Sequence, residues 1–352
     1  MIERNTLEMI ISDGILAPSG ENCQPWRFAI KDNIISVWNV PEADQSVYNY
    51  KQRGSLVAHG ALLENMSVSA AGRGYGSHID LFPEASDPDL VARFTVSENG
   101  LAPEGGNALV SAIPLRTTNR KKYTGTKLSP EQKTALSHAA DTFACRLSFV
   151  DDDAVLPKLG FAAALNEKLI FSNKALHDFF YAHLLWDESA QDQKGFYVKT
   201  LEFAPVQVPV IRLLKKWERV AFANKYFHIA DQILKENGAK YGASGTFLAL
   251  AIPDDTKESF VRAGMAFERV WLTATSLGLA LQPCTGTLFF MQRIMSHDAE
   301  MFSADEERSI RDAYTAISSA FNFDGKVIPM LARIGTGAPP TARATRAIPR
   351  ID

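Results

Sequence analysis

Residues 17–28 read Ala17-Pro18-Ser19-Gly20-Glu21-Asn22-Cys23-Gln24-Pro25-Trp26-Arg27-Phe28. Proline fixes a turn, Ser19 offers a hydroxyl, Gly20 a permissive backbone, Asn22 and Gln24 two amides, and Trp26 a planar apolar face. Such a loop between a helix and a strand can hydrogen-bond the edge of a heteroaromatic ring while packing against it. The same residues also suit an Asx-type turn over a buried tryptophan. Composition alone leaves both readings open.

Upstream of the loop, Leu7, Ile10, Ile11 and Ile15 fall on one helical face, with Asn5 and Glu8 spaced as a capping pair. The pattern predicts a helix to about Leu16 that stops before Pro18. Downstream, 27–31 and 34–40 flank Asp32-Asn33 as a hairpin. A helix rich in small residues is predicted over 56–71, ended by Gly72, Gly74 and Gly76, with strands near 78–82 and 90–96. The Gly- and Pro-rich loop 100–107 is the best internal boundary.

Beyond it, Ser129-Pro130-Glu131 opens a helix with proline in its first turn, and 146–150 reads as a strand. Residues 153–240 are mostly helical and aromatic-rich, interrupted at Gly195 and 204–209. Strands over 245–252, 279–284 and 327–334 then accompany helices over 257–277 and 305–321. Two of the predicted helices share a pattern: Gly60, Glu64, Ala70 and Gly74 recur as Gly264, Glu268, Ala274 and Gly278 at a constant offset of 204 (264 against 60). Each ends in glycine before a short strand. The chain therefore reads as a duplication whose halves imitate a two-fold dimer.

Composition narrows the classes. A chain of 352 residues has room for two domains, and 46% hydrophobic with 22% charged residues excludes disorder as the main state. A net charge of −3 gives no global basic field, so neither nucleic acid nor membrane is expected as a partner. Cys23, Cys145 and Cys284 lie far apart without metal spacing, which fits a reducing compartment. The histidines form no metal pattern, and no dinucleotide or Walker fingerprint occurs. The polar start lacks a signal-peptide pattern, and the charge-free run 270–292 is interrupted by Gly278, Pro283 and Gly286. It reads as a buried helix, a strand and a turn, and the cytoplasm is the expected compartment.

Two further segments carry chemistry. Arg116-Thr117-Thr118-Asn119-Arg120-Lys121-Lys122 places two arginines around two hydroxyls, a set that suits a phosphate or else a solvated basic linker. Arg343, Arg346 and Arg350 either form a loose basic tail or close on the same phosphate. In Leu281-Gln282-Pro283-Cys284-Thr285-Gly286, a turn at a strand end can aim backbone N–H groups at a ligand or simply reverse the chain.

Together these motifs resemble the nitroreductase family of FMN-dependent flavoproteins. Pro18, Ser19, Asn22, Gln24, Pro25 and Trp26 match its PS-x-x-N-x-QPW element. Arg116, Thr118 and Arg120 match its R-x-S-x-R segment with Thr for Ser, Pro283 and Gly286 its P-x-x-G turn, and Arg343 and Arg346 its basic tail. Family members are usually homodimers with two equivalent sites. Here the first half, 1–115, holds the QPW loop, and the second, 116–352, holds the arginine segment, with no QPW loop near 140–146. The arrangement is similar to the single-chain, tandem Acg-like subgroup.

The resemblance implies an α+β nitroreductase-like fold of two pseudo-symmetric halves, with a helical lid-like insertion over about 166–240 and one FMN per chain. It implies that Arg116, Thr118, Arg120, Arg343 and Arg346 hold the phosphate, that Ser19, Asn22 and Gln24 bond the ring edge or ribityl chain, and that Pro18 shapes their loop. Pro283, Cys284, Thr285 and Gly286 would lie against the ring. The chemistry would be flavin-borne, without a protein catalytic residue or metal, moving hydride from NAD(P)H to a nitroaromatic, quinone or similar small molecule. The alternative is an FMN-sequestering protein with the flavin under a lid. Pseudo-symmetry permits a monomer. Thr285 stands where many active members carry an acid, and the aromatic insertion is either a lid or a helical core.

Overall fold

The computed structural model describes residues 2–98, 106–190 and 192–352. Most of the boundary loop expected at 100–107 lies outside them. In the first half, α1 (Arg4–Gly14) leads into β1 (Trp26–Lys31), β2 (Ile34–Asn39), α2 (Arg53–Gly72), β3 (Gly76–Leu81), β4 (Leu90–Ser97) and α3 (Gly106–Ala112). β1 and β2 form the expected hairpin, with Lys31 opposite Ile34. The capping pair expected at Asn5 is absent. Glu3 occupies the cap position without a side-chain bond, and Glu8 pairs with Arg4 at 2.8 Å instead.

The second half begins with α4 (Pro130–Ala140), started by a full capping box between Ser129 and Gln132, and continues into β5 (Arg146–Val150). Then come α5 (Leu156–Ile170), α6 (Lys174–Ala182), β6 (Leu184–Leu185), β7 (Phe196–Tyr197), α7 (Gln207–Leu213), α8 (Trp217–Phe227) and α9 (Ile229–Gly242). The chain closes with β8 (Thr246–Ile252), α10 (Lys257–Ser276), β9 (Ala280–Pro283), α11 (Gly286–Met295), α12 (Ala304–Phe321) and β10 (Val327–Gly335). The sequence pattern missed α3 and α11. Among the described residues no helix is long and apolar enough to cross a membrane.

The duplication is visible in the topology. One antiparallel sheet has the order β1-β2-β4-β3 and the other β5-β8-β10-β9, so the strands correspond one for one. α1 and α4 each have 11 residues, and each is followed by a short 3-10 turn, Gly20–Asn22 or Asp141–Phe143, before the first strand of its sheet. α2 and α10 each have 20 residues and begin 204 residues apart. They cross at their shared glycine: a Cβ on Gly60 would overlap the Val261 carbonyl, and one on Gly264 the Val57 carbonyl.

The halves differ in what joins their strands. β1 and β2 are joined by two residues, whereas 151–245 separate β5 from β8, so the insertion extends beyond the expected 166–240 at both ends. Its aromatic part has a core of its own, in which Phe171, Phe180, Tyr181, Ile211 and Val220 are buried. Trp271, Phe267 and Leu281 anchor the core under the second sheet, Phe28, Phe94 and Leu62 that under the first. Each such side chain contributes roughly 1.5–3 kcal/mol by leaving water.

Candidate functional site

α1 ends at Gly14 and the chain leaves it through Ile15, Leu16 and Ala17, whose carbonyls need partners from outside the helix. Arginines remote in sequence supply them. Arg116 Nη2 donates to Leu16 O at 2.7 Å. Arg346 reaches Ile15 O, Leu16 O and Ala17 O at 3.0–3.3 Å. Arg343 Nη1 donates to Pro114 O at 2.7 Å, and Arg120 Nη1 to Thr200 O at 2.9 Å. These four arginines line one cavity with Pro18, Ser19, Asn22, Thr117 and Thr118. Glu21 and, from the insertion, Gly195, Phe196, Tyr197 and Thr200 also belong to its wall.

The electrostatics favour an anion. Burial pulls the Arg116 pKa down, Glu268 opposes this, and nearby Arg343 adds to it. Arg346 is brought down to about 10, by burial first and Arg116 second. The arginines thus repel one another in a poorly solvated site. Their buried counter-charge is Glu268, 2.9 Å from Arg116 Nε, and Glu268 itself is raised to about 7 by burial and by Glu64. Glu21 adds little negative charge at neutral pH, because burial and Asp44 push its carboxyl up to about 8. An arginine carries five donors, and Arg120 and Arg343 each give one to the protein. Phosphate fits this donor set.

The Pro18–Trp26 loop is held between three parts of the chain. Ser19 Oγ accepts from Gln24 N at 3.0 Å. Gln24 Nε2 donates to Asp192 O at 2.9 Å, and Gln24 Oε1 accepts from Ala347 N at 2.9 Å. Asn22 Nδ2 donates to Gln193 O at 3.2 Å and to Thr345 O at 3.1 Å, while Gly195 N donates to Glu21 O at 2.6 Å. Glu21, Asn22 and Gln24 all have positive φ (52°, 57° and 49°), a strained run that only such contacts can hold. Trp26 is buried, edge-on to His59. The insertion and the tail therefore both fasten onto the loop.

The Pro283–Gly286 turn does not line the cavity. β9 passes through Cys284 and Thr285 directly into α11, and a Cβ on Gly286 would stand 2.5 Å from Asn166 Oδ1, so α5 covers the glycine. Backbone links the turn to the arginine segment: Thr118 bridges Leu281 in parallel, and Asn119 N donates to Leu281 O at 3.0 Å. Arg120, next in sequence, feels the field of Tyr241, Glu167 and Cys284. Cys284 is buried and its thiol is pushed up to about 12, which leaves almost no thiolate at neutral pH. Gln24 likewise touches the site through hydrogen bonds without lining it.

Sequence reasoning missed three positions. Arg333 is fully buried, with Nε on Gln282 Oε1 (2.8 Å) and Nη2 on Lys121 O (2.7 Å), its guanidinium over the Tyr123 ring at 4.0 Å. It fastens the arginine segment to β10, and the signal was a lone charge in an apolar strand. Glu268 and Glu64 stand out in the sequence as a repeat and not as charges. Glu64 takes Arg269 as its partner. Asn65, with its amide oriented to suit both neighbours, donates to Glu268 at 3.1 Å and accepts from Ala17 N at 3.1 Å. Asn65 and Arg269 are themselves 204 apart, so the two contacts are mirror images, one amide and one cationic. Arg116 supplies the cation that Asn65 lacks.

A duplicated α+β chain with one cavity built from both halves is the class this geometry defines. The chain is 25% identical over 291 residues, covering 82% of it and 81% of the relative, to a Mycobacterium tuberculosis protein provisionally named NAD(P)H nitroreductase acg. It is 26% identical over 299 residues, 85% of its length, to an uncharacterised M. tuberculosis protein, of which it spans only 41%. An FMN-bound nitroreductase from Bacteroides fragilis is 12% identical with a TM-score of 0.38, over 68% of this chain and 94% of that one. No protein-family model matches. The chain is a homologue of proteins named NAD(P)H nitroreductases.

Proposed function

We propose that the chain is an FMN-dependent NAD(P)H oxidoreductase with one site per chain, reducing a nitroaromatic, quinone or similar small acceptor. The observation that carries this reading is the convergence of Arg116, Arg120, Arg343 and Arg346 with Ser19 and Thr118 on one cavity. Arg120, Arg343, Arg346 and Thr118 are assigned to the phosphate, with Arg116 steadied by Glu268 beside them. Ser19 and Asn22, which line the cavity, are assigned to the ring edge, while Gln24 supports their loop from behind and the covered Pro283–Gly286 turn is given no contact with the ring. FMN, when bound, supplies the hydride chemistry. The protein contributes a cationic pocket kept so by a largely neutral Glu21, and side chains such as Phe196 and Tyr197 that exclude water. The corresponding loop of the second half, Asp141–Cys145, lacks the matching residues, which supports a single site.

A second reading rests on the bonds from Asn22, Gln24 and Glu21 to residues 192–195. A segment fastened across the loop suits a protein that holds FMN without turnover. The visible spectrum of the desalted protein, with flavin quantified per chain, tests both. Close to one FMN per chain, bleached by NADH or NADPH without oxygen, is the expected result. Bound FMN that neither nucleotide reduces would select the sequestering protein. A colourless protein that ignores added FMN would overturn both.

A further inference from the structure

The insertion carries a surface that the oxidoreductase reading does not use. α8 packs inward through buried Val220 and through Asn224, whose Nδ2 donates to Phe171 O at 2.5 Å. Helical geometry puts Phe222 and Tyr226 on the opposite side. They are 59% and 57% exposed, with Phe227 beside them at 59%. The Phe222 and Tyr226 rings lie 4.7 Å apart, so the aromatics form a cluster. α7 and its approach expose Val206, Val210 and Leu213 as well. Arg219 Nη1 donates to Leu213 O at 2.9 Å and ties the end of α7 to the first turn of α8. A surface helix ordinarily turns polar residues outward, and grouped exposed apolar side chains mark a contact site.

Along 206–227 the charge is one-sided. Arg212, Lys215, Lys216, Arg219 and Lys225 are all exposed, and Glu218 is the single acid between 206 and 227. The whole chain is at −3, so the net charge conceals this patch. Aromatic side chains amid lysines and arginines suit the boundary between headgroups and acyl chains of an anionic bilayer.

We propose that α7 and α8 dock the protein on an anionic lipid surface, with Phe222, Tyr226 and Phe227 in the interface and the five cations at lipid phosphates. A second copy fits less well, because a two-fold contact over this patch would set like charges against each other. That no helix among the described residues is long and apolar enough to cross a membrane is compatible with this mode, since α7 and α8 would lie on the bilayer and not cross it. The same insertion supplies Gly195–Thr200 to the cavity wall, so a docked α7–α8 unit holds the segment that covers the loop.

Sedimentation of the full chain with vesicles of phosphatidylcholine, alone or with one-third phosphatidylglycerol, tests the proposal. Binding is expected only with phosphatidylglycerol and should weaken as salt is raised. Lys215→Ala with Lys216→Ala should lower partitioning about tenfold or more, and Phe222→Ser with Tyr226→Ser should lower it on the same vesicles. Unchanged circular dichroism and thermal midpoint in both variants would tie the loss to the surface. Equal binding to both vesicles, or none to either, overturns the proposal. A concentration-dependent dimer abolished by the same substitutions would overturn it in favour of a second copy. None of these outcomes depends on flavin content.

Discussion

Gly60 and Gly264 touch where α2 crosses α10, each lacking the Cβ that would enter the other helix's backbone at Val261 or Val57. Both pairs, 60 with 264 and 57 with 261, obey the offset of 204, so the contact is its own mirror image. Glycine within a helix costs about 0.5–1 kcal/mol against alanine. That cost is accepted twice, at the same register, because the obstacle is backbone and cannot rotate away.

Alanine at either glycine is therefore expected to destabilise the fold, by about 3 kcal/mol or more, at the upper end of what overpacking produces. Urea denaturation midpoints check this. Alanine variants as stable as the parent would mean that the helices do not cross here.

Arg116 and Glu268 form a pair with both side chains almost wholly buried. Arg116→Ala removes the cation that holds the Glu268 carboxyl down, so that carboxyl keeps its proton at neutral pH, and loss of the pair should cost about 3 kcal/mol. Adding Glu268→Gln should restore part of that stability, since an amide tolerates burial and can still accept from Asn65. If the double variant is the sum of the two single ones, the pairing is not what stabilises.

Arg120→Ala, Arg343→Ala and Asn22→Ala should each weaken FMN retention, with losses of about tenfold for the arginines, as expected for a charge-assisted bond. His183→Ala should leave it unchanged. Fluorescence titration with FMN measures all four. Equal affinities throughout would refute the assignment of the cavity.

Glu21 makes stability depend on pH in a defined direction. Its carboxyl ionises near 4.5 when unfolded but holds its proton to about 8 when folded. Between those values the folded state binds more protons, so stability falls as pH rises and levels off above 8. Glu21→Gln should flatten this window and exceed the parent in thermal midpoint above pH 8. FMN affinity should drop across pH 8 in the parent and less in the variant, because an ionised Glu21 would oppose the phosphate. A parent and variant with the same pH profile would show that Glu21 is already ionised.

The repeat of Gly60, Glu64 and Gly74 at 264, 268 and 278 was readable because each copy sits within a short window of sequence and the two share one offset. Gly74 and Gly278 both carry positive φ after their helices, and Glu64 and Glu268 are both buried. The hairpin at Asp32-Asn33 and the strand at Arg146–Val150 were legible from short windows as well. The site was legible only as parts. That Arg346 and Arg116 share the carbonyls of Leu16, or that residues 192–195 fasten onto Glu21 and Asn22, depends on contacts across hundreds of positions. No periodicity records them. The Pro283–Gly286 turn shows the opposite failure: its spacing was plain, but the helix that covers Gly286 comes from an insertion of unpredictable path.

The crossing of α2 and α10 has a consequence for how the protein behaves when scarce. Halves on separate chains must find each other, and their shared surface dissolves on dilution. Halves on one chain meet at a concentration set by the tether, however few molecules are present. They also accumulate changes independently: Arg269 could remain on one side of the axis while Asn65 stands on the other, a divergence that two copies of one gene product cannot achieve.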